Sequence, residues 1–274
     1  MPAEVLRRRL DSALGPLAPN LVPELQVWLR AGTGLFQDVL ATLPCDTDGQ
    51  VVALWQDQSG RGFDVSQATA VNQPTYRTNL RNGKHGVRFD GLVSPNNDRL
   101  NFAGGAFSIF RNRPSGHVLA VLNSTVPGTN MRVVQFETDA ATQVRFAIDR
   151  DQGGVGTVGV RVRNVADTAT YAVNSAAGVV TATSWNLQDA LANWVVGQET
   201  VWLDNRSVAV RSLDDTGYSE DTASLDACVG SATGNGAAWA GDLLSLVVFA
   251  PAPSPTTILR VRKWLAQEYA LSLY

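Results

Sequence analysis

The 274-residue sequence has few charged residues, cysteines and histidines, and each scarcity excludes a class of protein. Charged residues make up 17% of the chain and the net charge is −3, so no basic excess attracts a nucleic-acid backbone. The two cysteines, Cys45 and Cys228, lie far apart and form no disulfide framework; we expect free thiols. No apolar run reaches the ~18 residues of a membrane-spanning helix. No apolar leader segment follows the arginines at 7–9, so we expect no secretory signal.

The scarcity of histidine limits the catalytic chemistry that the chain can support. A Ser/His/Asp site would require His85 or His117, and no Gly-x-Ser-x-Gly sequence surrounds any serine. The histidines and cysteines also lack the spacing of zinc ligands. We therefore expect neither nucleophilic catalysis nor a zinc centre.

Apolar residues are abundant at 45%, and they are accompanied by 24 glycines and 12 prolines. Short runs of alternating apolar and polar residues end at turn residues, which is typical of β-strands joined by tight turns. The segment 185–192 fits a strand entry or a helical turn equally well. Strands are predicted at 25–29, 87–91, 100–102, 117–123, 132–137, 144–149, 158–163, 171–173, 194–197, 200–210, 228–231 and 243–249.

Helical periodicity occurs near the two ends of the chain. Leucines spaced four apart predict a short helix over residues 3–17, which would dock either on its own sandwich or on a neighbouring subunit. Ser254 is a good N-cap before Pro255, which favours a C-terminal helix that begins there. The apolar face of that helix is predicted at Ile258, Val261, Trp264 or Leu265, and Tyr269, and the opposite face at Arg260, Arg262 and Lys263.

The stretch from residue 55 to residue 91 carries a family resemblance. Its motifs are Trp55-x-Asp57-x-Ser59-Gly60, Gln73-Pro74-x-Tyr76, and Asn82-Gly83-Lys84 running into Val87-Arg88-Phe89-Asp90-Gly91. They resemble the laminin-G-like, concanavalin A-like jelly-roll domains, and the segments 25–31 and 241–249 agree with them. The resemblance implies an all-β fold, a two-sheet antiparallel β-sandwich over residues 21–274, with a short N-terminal helix in residues 1–20 and a C-terminal helix.

The fold also hosts enzymes, so the resemblance favours a role without catalysis only together with the absence of a complete set of catalytic acids. Modules of this kind are common in phage virion and bacterial surface proteins. We expect a recognition or decoration module that binds host-surface carbohydrate from the exterior of a phage virion, as part of a tail, fibre or capsid. The expected partners are a cell-surface glycan and either other virion proteins or further copies of the chain, contacted through the N-terminal helix. Nucleic acid and membrane are not expected partners.

Two alternatives remain open. The first is a purely structural protein of virion assembly or decoration. The second is a glycan-cleaving enzyme of the jelly-roll glucanase type, whose strand motif is Glu-x-Asp-x-x-Glu. Here Glu137 and Asp139 match that motif, but Thr142 stands where the last acid belongs, so one of the two carboxylates needed for glycoside hydrolysis is missing.

Candidate ligand-binding residues are aromatic or polar side chains near turns, since sugars stack on aromatic faces and bond to amides and carboxylates. Two of the candidates are tryptophans, Trp185 and Trp239. For both, packing inside the sandwich competes with ligand binding and is the favoured interpretation. Four other tryptophans at alternating strand positions, Trp28, Trp55, Trp194 and Trp202, are predicted to be core residues. The candidate ligand-binding residues are Trp185, Trp239, Asn235, Asp98 and Asn97.

Calcium is the one metal for which the sequence offers a candidate site. Asp149 and Asp151 precede two glycines, and calcium takes oxygen ligands from loop carboxylates and carbonyls. A solvated acidic loop explains the same residues and is the favoured alternative.

Overall fold

The computed structural model describes residues 14–92, 97–105, 108–125, 131–137, 144–166, 169–181, 183–221, 226–232 and 237–273. In these residues two antiparallel sheets face each other across one hydrophobic core, and a single α-helix lies on the outer face of one sheet. This arrangement confirms the predicted two-sheet β-sandwich of jelly-roll type with a C-terminal helix.

The described chain contains seventeen strands. In chain order they are β1 (Leu25–Arg30), β2 (Leu35–Phe36), β3 (Leu54–Trp55), β4 (Val65–Ser66), β5 (Thr75–Arg81), β6 (Lys84–Asp90), β7 (Leu100–Phe102), β8 (Ser115–Ser124), β9 (Met131–Glu137), β10 (Val144–Arg150), β11 (Val158–Arg163), β12 (Thr170–Asn174), β13 (Asn186–Asn193), β14 (Gln198–Leu203), β15 (Arg206–Ser212), β16 (Ala227–Val229) and β17 (Ala240–Phe249). Two short 3-10 turns occur at Pro19–Leu21 and Ala70–Asn72, and the α-helix, α1, spans Pro255–Glu268.

Each sheet has one continuous strand order. The eight-stranded sheet runs β15-β14-β13-β8-β17-β6-β5, and β1 pairs with the C-terminal part of β17. The nine-stranded sheet runs β12-β11-β10-β9-β16-β7-β4-β3-β2. The predicted apolar strands at 117–123 and 243–249 pair with each other near the middle of the eight-stranded sheet, where one face meets the core and the other meets α1.

The centre of the core is an aromatic cluster around Phe110. Its ring centroid lies 4.9 Å from that of Phe136, 4.8 Å from that of Phe146 and 6.3 Å from that of Trp194. A Cβ at Gly116 would lie 2.4 Å from the Phe110 ring, so glycine is required there to admit the aromatic side chain. These contacts fix the separation of the two sheets.

The motif at residues 55–60 has a structural role. The Asp57 carboxylate accepts hydrogen bonds from the backbone N–H groups of Trp28, Ser59 and Phe63 and from the Ser59 hydroxyl. The Ser59 hydroxyl also lies 2.9 Å from the Gln26 carbonyl oxygen. The motif therefore ties the loop after β3 to β1.

Helix α1 packs on the outer face of the eight-stranded sheet through a second hydrophobic cluster. Ser254 caps its N-terminus by accepting a hydrogen bond from the Thr257 N–H at 3.2 Å, as predicted. The buried residues of the helix are Ile258, Val261, Arg262, Leu265 and Ala266. The prediction that Arg262 lies on the opposite face is wrong, because its guanidinium group pairs with the buried Asp189. No helix formed by the described residues is long and apolar enough to cross a membrane.

Four local predictions can be compared with the structure. The ambiguous segment 185–192 is a strand, β13, whereas 194–197 is a turn in which the Gly197 N–H donates to the Trp194 carbonyl. Residues 14–17, the end of the helix predicted over 3–17, are not helical; they run along α1, where the Leu17 N–H donates to the Arg260 carbonyl. Residues 1–13 of that prediction lie outside the described residues. Both cysteines are free thiols, as expected.

Candidate functional site

A cleft opens on the outer face of the eight-stranded sheet, between the β14–β15 hairpin and the first turn of α1. Its volume is about 560 Å³. The sheet and hairpin contribute Trp202 and Asn205, and the helix contributes Thr256 and Arg262. Apolar walls come from Leu191, Pro253, Pro255, Ile258 and Leu259, and His117 lies at the base. The cleft therefore combines apolar walls with several polar groups, and small-molecule sites also hold polar groups that fix the orientation of a ligand.

A buried hydrogen-bond network forms the base of the cleft. Arg262 donates two hydrogen bonds to the Asp189 carboxylate, from Nε to Oδ2 at 2.9 Å and from Nη2 to Oδ1 at 2.5 Å. His117 Nε2 lies 2.9 Å from the same Oδ1. Arg262 Nη1 also donates to Asn205 Oδ1 at 3.2 Å, which links the network to the hairpin. A bidentate pair of this kind fixes the guanidinium plane in one orientation.

The charges of this network balance. Burial lowers the pKa of His117 below its ordinary value, although its bond to Asp189 acts in the opposite direction, so the imidazole is neutral at neutral pH. Burial acts to raise the pKa of Asp189, but Arg262 and His117 outweigh it and hold that pKa below its usual range. One anion and one cation remain, and the base of the cleft is electrically neutral.

Trp202 is the aromatic group that faces the cleft. It is partly exposed, its ring stacks on His117 at a centroid distance of 5.5 Å, and the Arg262 guanidinium carbon lies 4.7 Å from its ring centroid. The sequence analysis predicted this tryptophan to be a core residue, and that prediction is wrong. Residues paired across β13 and β14 share a face, and Trp202 is paired with Asp189, whose side chain lies on the outer face.

The two tryptophans predicted to bind ligand lie elsewhere. Trp239 is fully buried and packs on Phe89 with ring centroids 5.5 Å apart, which is the packing inside the sandwich that the sequence analysis favoured over ligand binding. Trp185 is partly buried against the second hydrophobic cluster, under α1. It does not line the cleft, and its ligand-binding role stays a prediction.

The polar candidates lie at another end of the sandwich. The Asn97 amide nitrogen donates to the Ser231 hydroxyl at 2.9 Å, and Asp98 accepts from the Asp90 N–H at 2.9 Å. Both side chains are buried, and burial raises the pKa of Asp98 to about 7. Their ligand role stays a prediction, and Asn235 lies outside the described residues.

The predicted calcium ligands already have partners in the protein. The Asp149 carboxylate accepts one hydrogen bond on each oxygen, from Arg132 Nε at 2.6 Å and from Arg161 Nε at 2.7 Å. Asp151 accepts from the Gly156 N–H at 2.5 Å. Across the described ranges, no three or more His, Cys, Asp or Glu side chains are grouped as metal ligands. A calcium ion would therefore have to compete with two guanidinium groups for the Asp149 carboxylate.

The residues considered for catalysis do not form an accessible site. Glu137 is 2% exposed, it accepts from the Gln135 amide, and burial raises its pKa to about 7. Asp139 and Thr142 lie outside the described residues. The hydrogen bond that His117 makes within the described chain goes to Asp189, not to a serine or cysteine.

No family model and no curated protein sequence matches this chain. Among solved structures, the binding domain of Paraclostridial Mosquitocidal Protein 1 superposes with a TM-score of 0.56 at 12% identity, over 81% of this chain and 51% of that one. At this identity the likeness shows the fold alone, and it agrees with the antiparallel sandwich described above.

Two further neighbours superpose less well. The CBM40 module of the Ruminococcus gnavus IT-sialidase bound to α2,3-sialyllactose has a TM-score of 0.48 at 14% identity, over 65% of this chain and 92% of that one. The NanB sialidase from Streptococcus pneumoniae gives 0.48 at 13% identity, over 62% of this chain. The matched region is 27% of that sialidase chain, so this protein spans about a quarter of its length.

Proposed function

We propose that this chain is a non-catalytic module that recognises a glycan, and that the cleft beside Trp202 holds the sugar. The observation that carries the proposal is a partly exposed indole set in a cleft whose polar groups are already fixed by buried hydrogen bonds. Sugars present apolar C–H faces that pack on aromatic rings and hydroxyls that bond to amide, hydroxyl and guanidinium groups.

The composition of the cleft favours an uncharged sugar. Trp202 supplies apolar surface, while Asn205, Thr256 and Arg262 supply hydrogen-bonding groups within reach of a ring placed beside it. The Arg262 charge is matched by Asp189, so a neutral ligand leaves no buried charge unpaired. The cavity of about 560 Å³ falls within the range that small ligands occupy, roughly 300–1,000 Å³.

The rigidity of the base supports binding without catalysis. Arg262 is held by Asp189 and Asn205, so its side chain loses little further freedom when a ligand arrives. The one histidine of the cleft is neutral and committed to Asp189. The groups at the base thus orient a ligand and have no nucleophile to activate.

A glycan array tests this proposal, with isothermal titration of any sugar that binds. Trp202→Ala removes the stacking surface, which is worth about 1.5–3 kcal/mol, and we expect affinity to fall roughly 10- to 100-fold. Trp185→Ala removes an equally large ring outside the cleft, so it is the matched control and should leave affinity unchanged. Asn205→Ala, a smaller change, should weaken binding without affecting the core.

Two results would contradict the proposal. In one, the wild-type protein binds no glycan on the array. In the other, a bound glycan is retained by folded Trp202→Ala and lost by Trp185→Ala, which would move the site to the other predicted tryptophan.

A structural role in assembly is the second candidate function. Three apolar side chains in the loop of residues 38–43 are solvent-exposed, which is unusual for a module that works alone. We also propose the exterior of a phage virion as the setting of the module, on the family resemblance only. Immunogold labelling of intact particles with an antibody to this chain tests that setting.

A further inference from the structure

The loop of residues 38–43, named here the apolar loop, presents hydrophobic side chains to solvent. Leu40 is 80% exposed, Leu43 is 53% exposed and Val39 is 45% exposed. Scattered exposed apolar residues are ordinary, but three of them on one six-residue loop form a patch. Such a patch costs free energy in water unless another surface covers it.

The apolar loop is held in one conformation. Asp38 accepts hydrogen bonds from the backbone N–H groups of Leu40 at 2.9 Å and Leu43 at 2.7 Å, and from that of Thr42. The Gln37 N–H donates to the Leu43 carbonyl at 2.8 Å and closes the loop at its base. Because these bonds fix the backbone, the leucines cannot turn inward without breaking them.

The charged residues in the sequence around the apolar loop are acidic, and one of them, Asp48, is paired with Arg77 at 3.2 Å. Residues 35–52 contain Asp38, Asp46 and Asp48 and no lysine or arginine. A surface that covers the loop should therefore combine apolar contact with positive charge.

Strand β15 of the same chain has this complementary character. It carries Arg206 and Arg211, no acidic residue, and Val210, which is 54% exposed. It is also the terminal strand of the eight-stranded sheet, so one of its edges has no neighbouring strand among the described residues. An unpaired strand edge is a ready site for contact with another chain.

The two surfaces lie on opposite sides of the sandwich. Strand β15 lies beside β12, the terminal strand of the other sheet, and Arg211 Nη1 donates to the Ala172 carbonyl there. The apolar loop follows β2, the strand at the far end of that nine-stranded sheet. One molecule therefore cannot cover its own apolar loop with its own β15.

We propose that the apolar loop of one copy docks on the β15 edge of the next copy, so that the chain self-associates head to tail. The interface is heterologous, since two different surfaces meet, and it either closes into a ring or extends into a filament. The proposal is independent of glycan binding: the cleft begins at Asn205, at the other end of β15 from Val210.

Sedimentation velocity over a concentration series tests the proposal with three variants of the full chain. The loop variant, Leu40→Ser with Leu43→Ser, keeps an intact β15. The edge variant, Arg206→Glu with Val210→Asp, keeps an intact apolar loop and leaves Arg211 on Tyr171, where its guanidinium carbon lies 4.7 Å from the ring centroid. Val196→Ser, at a 62% exposed valine in the turn between β13 and β14 that belongs to neither surface, is the control.

We expect the wild-type protein and Val196→Ser to form larger species as concentration rises. The loop variant and the edge variant should each remain monomeric, with association at least about tenfold weaker. An equimolar mixture of the two should form a one-to-one dimer and nothing larger, because only one complementary pair of surfaces remains. Raised salt should weaken wild-type association.

Three results would overturn the proposal. The wild-type protein could remain monomeric at every concentration, the mixture could fail to form a dimer, or Val196→Ser could abolish association as the loop variant does. Circular dichroism checks that each variant is folded; if a double variant is not, Leu40→Ser and Val210→Asp alone replace it in the same mixing experiment.

Discussion

Glu199 makes the stability of this protein depend on pH in a direction opposite to that of ordinary ion-paired carboxylates. It lies on β14, its side chain is fully buried, and neither carboxylate oxygen has a hydrogen-bond partner among the described residues. Burial raises its pKa to about 8 from an ordinary 4.5, although Arg211 acts to lower it. The native state therefore holds a proton on Glu199 at neutral pH that the unfolded chain releases.

The magnitude follows from the linkage between protonation and folding. Because the native pKa is raised, the contribution to stability is complete below about pH 4.5 and is lost as pH rises through about 8. Each pKa unit corresponds to about 1.4 kcal/mol, so the loss is under about 1 kcal/mol at pH 5, roughly 3 kcal/mol at pH 7 and about 5 kcal/mol above pH 8.

Glu199→Gln removes this titration while keeping the side-chain shape. We expect the variant to be close to wild type in stability near pH 5 and more stable by about 2–3 kcal/mol near pH 7. Denaturant unfolding followed by tryptophan fluorescence at a series of pH values measures the difference. Glu24→Gln, at a partly exposed carboxyl just before β1, is the matched control.

The result that would refute this reasoning is a constant difference between Glu199→Gln and wild type from about pH 5 to about pH 8. Burial also raises the pKa values of Asp98 and Glu137 to about 7. The wild-type protein should therefore lose further stability through these two carboxyl groups as pH rises. Because Asp98 and Glu137 are present in both proteins, the difference between Glu199→Gln and wild type reports the titration of Glu199 alone.

Three further predictions concern the core and the ion pairs. Asp189→Asn leaves Arg262 buried without its anion and should cost about 3–5 kcal/mol of unfolding free energy, and urea unfolding showing under about 1 kcal/mol would contradict it. Phe110→Ala opens a cavity in the aromatic cluster and should cost about 3–5 kcal/mol in the same assay; an unchanged urea midpoint would show that the cluster is not the centre of the core. Calcium should leave the midpoint of thermal unfolding unchanged, since Asp149 is already paired with Arg132 and a second arginine. A midpoint that rises when calcium is added and falls again when a chelator is added would instead support the predicted calcium site.

The strands that alternate most regularly were predictable because alternation is a local property. Segments such as 144–149 and 158–163 place apolar residues on the core face and polar residues on the other, whatever else the chain does. The Ser-Pro start of α1 was equally local, since an N-cap satisfies the helix's own first N–H groups. The turn at 194–197 was missed because a run of three apolar residues before a glycine is also typical of a strand. In the structure only Trp194 of these three is buried, and both valines are exposed.

The candidate cleft was not predictable from the sequence. Its members come from four distant segments: His117 from β8, Asp189 from β13, Trp202 from β14 and Arg262 from α1. Trp202 gave the same signal as a core tryptophan, because alternation does not say which of the two faces of a strand meets the other sheet. Arg262 lies next to Val261 in the sequence, and it was assigned to the opposite face of the helix because a charged side chain there is usually solvated.

What the sequence determined by itself is therefore most of the longer strands, the closing helix and the class of fold, since each follows from the spacing of apolar residues and turn residues. What only the tertiary structure decided is which buried polar groups meet, which tryptophan faces solvent, and which loop keeps its leucines exposed. These depend on strand order and on which face α1 covers, and contacts between residues more than seventy positions apart, such as Asp189 with Arg262, leave no periodic trace in the chain.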